Sequence, residues 1–432
     1  MTVLETAKKY EAYMIQMRRF FHENPELPAQ ELQTLKTIAA ELTDMGIEFV
    51  EIPNGGILAK VTGSTDNGRA VLIRADIDAL PVTEAPCNLR GSRTCFSKND
   101  GVMHACGHDA HTAMLLGAAK VLLEQKEQLE GTVYLCFERG EEGPGNVRYI
   151  LAYAEKEHIH IDSAFGIHVS ADLDSGKIVI NDTFMNSGLM TFDVTIQGNG
   201  GHGSRPDRAQ NPIDAFHAIY GAMQSLRLNK IDPYTPLTYS VGKLYSGEGN
   251  NVIPQSLTFG GTMRTFDPNG AGMIFHRELK NSIDSICELY HCRPIYNKFT
   301  RPGLAVVNDP ECACLARTAI AAELGGDSVT TAEPWMGSDS FPLYQLLWPG
   351  VFMFLGIRNE EIGSGAAHHN PYFDVDESVL VKGAASSVIY ATSFLKSDVD
   401  TSGRKAPGGY AEHLRRSEKW DWLEELYGES KA

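Results

Sequence analysis

The chain has 432 residues, of which 43% are hydrophobic and 9% aromatic, so it can bury a large core and two domains are the default expectation. Lys and Arg total 38 against 55 Asp and Glu, and the formal net charge of -17 argues against a protein built to neutralise nucleic-acid phosphates. Eight cysteines spread over this length are unlike a small secreted disulfide framework.

The opening segment, Met1 to Lys9, has no long apolar run of the signal-peptide kind, and no uncharged stretch is long enough to span a membrane. The expectation is a cytoplasmic protein with neither a membrane nor a nucleic-acid partner. Up to about residue 185, helical stretches alternate with short apolar runs, which predicts an α/β layer with a mostly parallel sheet. Ala70 to Ala75 and Thr132 to Phe137 read as strands. Between them Ala110 to Leu129 reads as a helix, with Ala113, Met114, Gly117, Ala118 and Val121 recurring on one face.

Near Asn186 the texture changes. A strand at 190–196 is followed by a helix at 212–226, strands near 237–244 and 256–265, and a second helix near 272–289. This order, closed by one more strand, is that of a small α+β, ferredoxin-like module inserted into a larger domain. The α/β texture returns after about Arg301. The predicted organisation is therefore 1–186 with 302–400 as the main domain, 187–301 as the insert, and 401–432 as a linker plus one amphipathic helix carrying Leu414, Trp420, Leu423 and Leu426. That helix is expected to pack on its own domain or fray in solvent.

In open α/β sheets ligands bind beyond the carboxyl ends of the strands. Asp76 and Asp78 follow the first predicted strand, and Glu141 and Glu142 follow the second. His168 ends the apolar segment Ala164 to Ile167, and the apolar run 351–356 leads to a loop holding His368 and His369. Cys106 and His108, separated by one glycine, lie just before the predicted helix. Together they supply N, O and S donors suited to Zn²⁺, Mn²⁺, Ni²⁺ or Co²⁺. Metal-assisted hydrolysis also needs a carboxylate that is not a ligand, to take a proton from water. The adjacent glutamates can provide both roles if their side chains diverge as on a strand. Asp78, with Asp76 as a second candidate, would hold a ligating imidazole in its correct tautomer.

These residues resemble the N-acyl amino acid amidohydrolases, which include hippuricases, bacterial aminoacylases and plant indoleacetyl-amino-acid hydrolases, within the dinuclear metallopeptidases related to carboxypeptidase G. The resemblance runs from His22-Glu23-Asn24-Pro25-Glu26-Leu27 to Phe373-Asp374-Val375-Asp376-Glu377 and is most specific at Met103-His104-Ala105-Cys106-Gly107-His108-Asp109. It implies that Cys106, His108, Glu142, His168 and His369 hold one or two divalent ions and that Glu141 is the general base. It implies an inserted lid and dimerisation domain, hence a homodimer or higher oligomer. It further implies that His202 in Gly200-Gly201-His202-Gly203-Ser204 helps bind substrate or stabilise the oxyanion, and that Asn251 and Arg264 contact the substrate. A guanidinium there can pair bidentately with a carboxylate.

Two departures stand out. The family usually reads Gln-Pro-Ala where Glu138-Arg139-Gly140 stands here, and Glu-Asp-Phe where this chain has Asp339-Ser340-Phe341. The expected function is hydrolysis of the amide bond of an N-acyl amino acid or a related small amide carrying a carboxylate. The alternatives are a dipeptidase or carboxypeptidase on the same machinery and a relative that binds metal without turnover. His104 and His111 are expected to be structural or to support the ligands.

Overall fold

A computed structural model describes residues 1–143 and 145–431. The chain divides into two compact units. The first comprises Met1–Met185, Val307–Glu333 and Ser340–Ala432, and the second Asn186–Val306 with Pro334–Asp339.

The first unit is built on β1 (Glu48–Ile52), β2 (Gly56–Thr62), β3 (Thr65–Asp76), β4 (Glu130–Glu138), β5 (Ser163–Asp174) and β6 (Val351–Arg358). The sheet order is β1-β2-β4-β3-β5-β6, extended at the far edge by the short strands Ile178–Val179 and Val329–Thr330. The four central strands β4, β3, β5 and β6 run parallel, as expected. The margins do not: β1 with β2, β2 with β4, and β6 with Ile178–Val179 pair antiparallel, so the sheet is mixed. Val71, Leu72 and Ile73 of β3, like Val133 and Leu135 of β4, are fully buried. Continuous rather than alternating apolar runs are what a sheet covered on both faces requires.

The His108–Glu124 helix packs against β3 and against the Glu11–Glu23 and Leu380–Lys396 helices. The last of these, with the turn before it, has the length and composition to cross a membrane, yet 78% of that window is buried inside the fold. It is a core helix, with Ala384, Ala385, Val388 and Phe394 inaccessible to solvent.

The segment after residue 400 forms two short helices, Gly409–Arg416 and Trp420–Tyr427, rather than the single predicted helix. Glu418 between them has φ 57, a left-handed conformation that an α-helix cannot continue through. Tyr410, Leu414, Leu423 and Leu426 are buried, and both helices contact the Val147–Lys156 helix.

The second unit has a four-stranded antiparallel sheet in the order Leu237–Ser246, Ser256–Thr265, Gly188–Gln197, Arg293–Phe299. The Pro212–Lys230 and Met273–Leu289 helices share its core through Ile219, Met223, Phe275 and Ile283. The Gly188–Gln197 strand alternates buried and half-buried residues, the pattern of a sheet covered on one face.

Candidate metal centre

The segment after β3 and the loop before the His108–Glu124 helix are tied together by paired backbone bonds between Leu80 and Met103, each 3.0 Å. Gly107 caps the helix with φ 91, and a Cβ placed there would lie 2.4 Å from Val169 Cγ2 of β5. Glycine is therefore required twice over, for its dihedral and for the close approach to the strand. The turn brings Cys106, His108 and His168 within 4.8 Å of one another through their ligand atoms.

His168 does not end a strand, as its apolar lead-in suggested. β5 continues to Asp174, and His168 lies within it, opposite Phe354 of β6. On its other side, the pairing of β5 with β3 stops at Arg74 opposite Gly166. A strand that outlasts its neighbour provides the same exposed rim as a strand end.

Glu141 and Glu142 lie in a turn beyond β4, so the divergence of their side chains comes from turn geometry and not from strand alternation. Glu142 Oε1 is 2.9 Å from His369 Nε2, and its backbone N–H donates to Asp78 Oδ2 at 2.9 Å. Glu141 Oε1 accepts the backbone N–H of Ser340 at 2.9 Å. Both carboxylates come within 4.8 Å of His108, and Cys106, Glu142 and His369 form another such group. His369 has φ 63, an uncommon backbone state for a non-glycine residue, and its N–H is fixed to Ala105 O at 2.8 Å.

The protonation states follow from the partners. His108 Nδ1 donates to Asp78 Oδ1 at 3.1 Å, the bond that determines which ring nitrogen is left to bind a metal. Nε2 itself is buried, makes no hydrogen bond among the described residues and lies 3.6 Å from Asp76 Oδ2; burial is outweighed by the Asp76 and Asp78 carboxylates, which raise the His108 pKa well above its ordinary value. His168 Nδ1 donates to Val169 O at 2.7 Å; burial and the His111 and His368 imidazoles hold its pKa well below the usual value, so it is neutral. Its Nε2 is 3.5 Å from Cys106 Sγ. Burial raises the Cys106 thiol well above its ordinary pKa, so a thiolate there requires a cation beside it.

His111, which lies on the helix, accepts the Val169 N–H on Nε2 at 2.9 Å and donates Nδ1 to Asp76 Oδ1 at 2.6 Å. It is thus a strut between β5 and β3, although Asp76, His108 and His111 also make a compact donor group. His104 is buried, and burial depresses its pKa to about 3. The donor set of thiol, imidazoles and carboxylates, with a buried imidazole nitrogen that makes no hydrogen bond among the described residues, fits a divalent transition-metal ion.

The remaining predicted residues belong to the second unit. His202 pairs with Val252 in a short antiparallel ladder, and Gly203 N–H donates to Asn251 O at 2.8 Å, which brings His202 and Asn251 side by side. His202 Nδ1 accepts from Ser204 N and Oγ at 3.1 and 2.8 Å, so Nε2 carries the proton. Arg264, on the Ser256–Thr265 strand, donates to Ser338 Oγ at 2.9 Å.

Two residues with a bearing on the site were given no role by the sequence reading, although Ser340 stood out as a departure. Ser340 supplies the N–H that anchors Glu141, and Arg74 spans Asp76 and Glu138 at 2.7 and 2.6 Å. An arginine inside the apolar run of β3 was the available signal, because a buried charge needs partners.

Comparison with known proteins agrees with this geometry. The chain is 35% identical over 387 residues to an IAA-amino acid hydrolase ILR1-like 4 of Arabidopsis thaliana, covering 89% of this chain and 86% of that protein. It is 34% identical over 395 residues to a thermostable carboxypeptidase 2 of Saccharolobus solfataricus, covering 90% and 96%. A crystal structure from Bacillus subtilis, described as a dinuclear metal-binding peptidase of the M20 family, matches with a TM-score of 0.72 and 29% identity over 90% of this chain and 99% of that one. The pattern of peptidase family M20/M25/M40 matches residues 72–392, and the chain belongs to that family.

Proposed function

We propose that the protein hydrolyses the amide bond of N-acyl amino acids, with Cys106, His108, Glu142, His168 and His369 holding one or two divalent ions (Zn²⁺, Mn²⁺, Ni²⁺ or Co²⁺). The observation that carries this reading is the convergence of a thiol, imidazoles and two adjacent carboxylates on His108 at one rim of the sheet. Its relatives bear names of amide-bond hydrolases, an IAA-amino acid hydrolase and a carboxypeptidase among them. Both names describe cleavage at the nitrogen of an amino acid that keeps its carboxylate.

An ion held by these ligands would act as a Lewis acid on the scissile carbonyl and make water more acidic. The protein's own groups do the rest. Glu141, held through one carboxylate oxygen by Ser340 N–H, takes the proton of the attacking water and returns it to the departing nitrogen. His202, with its proton on Nε2, is the proposed oxyanion donor. Arg264 is proposed to pair with the substrate carboxylate and Asn251 to contact the substrate. Asp78 fixes the His108 tautomer and, through Glu142 N–H, the start of the carboxylate turn.

Homodimerisation through the second unit is part of this reading. Its sheet ends on the Leu237–Ser246 strand, where Leu244 and Tyr245 are 51% and 68% exposed. An edge strand with apolar side chains and unpaired backbone groups is a pairing surface.

Glu141→Gln tests the assignment. It removes the base but keeps the size and the acceptor for Ser340 N–H, so turnover should fall by roughly 10² to 10⁴ while bound metal is unchanged. A Gln variant as active as the parent contradicts it.

A further inference from the structure

The charges that distinguish this chain beside its carboxylate turn are bound into separate contacts. Arg139 points to Glu31, with Nε 2.8 Å from Oε2, and to Ala29 O at 2.7 Å. Glu138 is fully buried and is held by Arg74 Nε at 2.6 Å, Ser340 Oγ at 2.8 Å and Tyr344 Oη at 3.1 Å. Arg74 also donates from Nη2 to Ser340 Oγ at 2.8 Å and from Nη1 to Asp76 Oδ2 at 2.7 Å. Ser340 is thus clamped by its hydroxyl between Arg74 and Glu138, and its backbone N–H is what holds Glu141.

We propose that Arg74, Glu138 and Ser340 form one positioning unit for Glu141, in which Glu138 carries the negative charge that a carboxylate at position 340 would otherwise carry. The reading of Glu141 as the base underlies this. Glu138 and Ser340 sit at the places where the family pattern has Gln and Asp, and here they touch each other and the same guanidinium. Moving one carboxylate from 340 to 138 leaves the charge around buried Arg74 unchanged. Changing either position alone does not: Glu138→Gln removes one of the carboxylates that hold Arg74, with Asp76 remaining at 2.7 Å, and Ser340→Asp sets a second carboxylate against Glu138 at hydrogen-bond distance. Either change loosens the clamp on Ser340 and with it the orientation of Glu141. Neither residue is placed to touch the reacting atoms, so their effect should appear in kcat and not in KM.

The experiment compares Glu138→Gln, Ser340→Asp and the double variant in metal-loaded protein acting on N-acetyl and N-benzoyl amino acids. It adds metal analysis and thermal unfolding of the chelator-treated proteins. Each single variant should lose kcat by roughly 10- to 100-fold with KM and bound metal close to the parent, and should unfold at lower temperature. The double variant should regain both kcat and unfolding temperature. A double variant no more stable or active than its weaker single parent overturns the proposal, as does a Glu138→Gln protein with parental kcat. Recovery of stability without recovery of kcat overturns the positioning of Glu141. Absence of turnover in the unsubstituted protein sinks the hydrolase reading instead, and the unfolding temperatures then still decide whether positions 138 and 340 share one charge.

Discussion

Gly107→Ala is the smallest change that should dismantle the centre without removing a ligand. Its φ of 91 lies in the left-handed region, which costs a residue with a Cβ about 1–2 kcal/mol. The new methyl would lie 2.4 Å from Val169 Cγ2, inside the packed junction of helix and β5, and overpacking of this kind costs about 1–3 kcal/mol. Together these give about 2–5 kcal/mol, to be read from denaturant unfolding of metal-free protein. Because Cys106 and His108 flank the glycine, the strain should also weaken metal binding, measured by competition with a chromophoric chelator. Val169→Ala in the same chain removes the clash but not the dihedral penalty, so the double variant should recover metal affinity ahead of stability. A Gly107→Ala protein with parental stability and affinity would refute the argument that this turn admits only glycine.

Acid should unfold the protein through its buried carboxylates. Asp109 is pulled well below the ordinary carboxylate range: burial opposes ionisation, but the Arg18 guanidinium at 2.9 Å and His22 at 2.8 Å outweigh it. Asp374 is lowered likewise, with Arg18 again the main charge that overcomes burial. A depressed folded-state pKa gives stability that is complete above the unfolded value near 4 and is lost as pH falls below it. Unfolding midpoints should therefore fall steeply below about pH 4; the same slope in Arg18→Met would contradict it. Removing residues 401–432 should expose the side of the Val147–Lys156 helix now covered by Tyr410, Leu414, Leu423 and Leu426. Each fully buried side chain of this kind is worth about 1.5–3 kcal/mol before the entropy of ordering the tail is subtracted. The truncated protein should melt several degrees lower and show more binding of an apolar dye; an unchanged melt would mean that the tail is held but does not brace.

What the sequence made legible follows from the strength of its local signals. The runs at 70–75 and 132–137 became β3 and β4 because continuous apolar residues have few other fates in a chain of this size. Metal-type donors after such runs were conspicuous for the same reason. The antiparallel margins were not visible, since the exposed and half-buried residues of β1 have no distinctive period. The end of β5 was misplaced by a few residues, because strand ends depend on how long the neighbouring strand lasts, while Glu141 and Glu142 follow β4 as read but diverge through a turn. The Arg74 to Ser340 contact joins residues 266 positions apart, and no local pattern announces it. The tail was read as one helix because its apolar spacing suits one; the break at Glu418 is a backbone event without a glycine or proline to mark it.

The central claim is a metal-dependent amide hydrolysis carried out at the Cys106–His108–His168 rim. The most direct measurement is release of free amino acid from acetyl, benzoyl and indoleacetyl amino acids, with free dipeptides alongside, by chelator-stripped protein before and after adding Mn²⁺, Zn²⁺, Co²⁺ or Ni²⁺. The account predicts no turnover without metal, and restored turnover that favours the N-acylated compounds and is lost in Cys106→Ala. Turnover that survives complete metal removal, or a fully loaded protein that cleaves only free dipeptides, contradicts it.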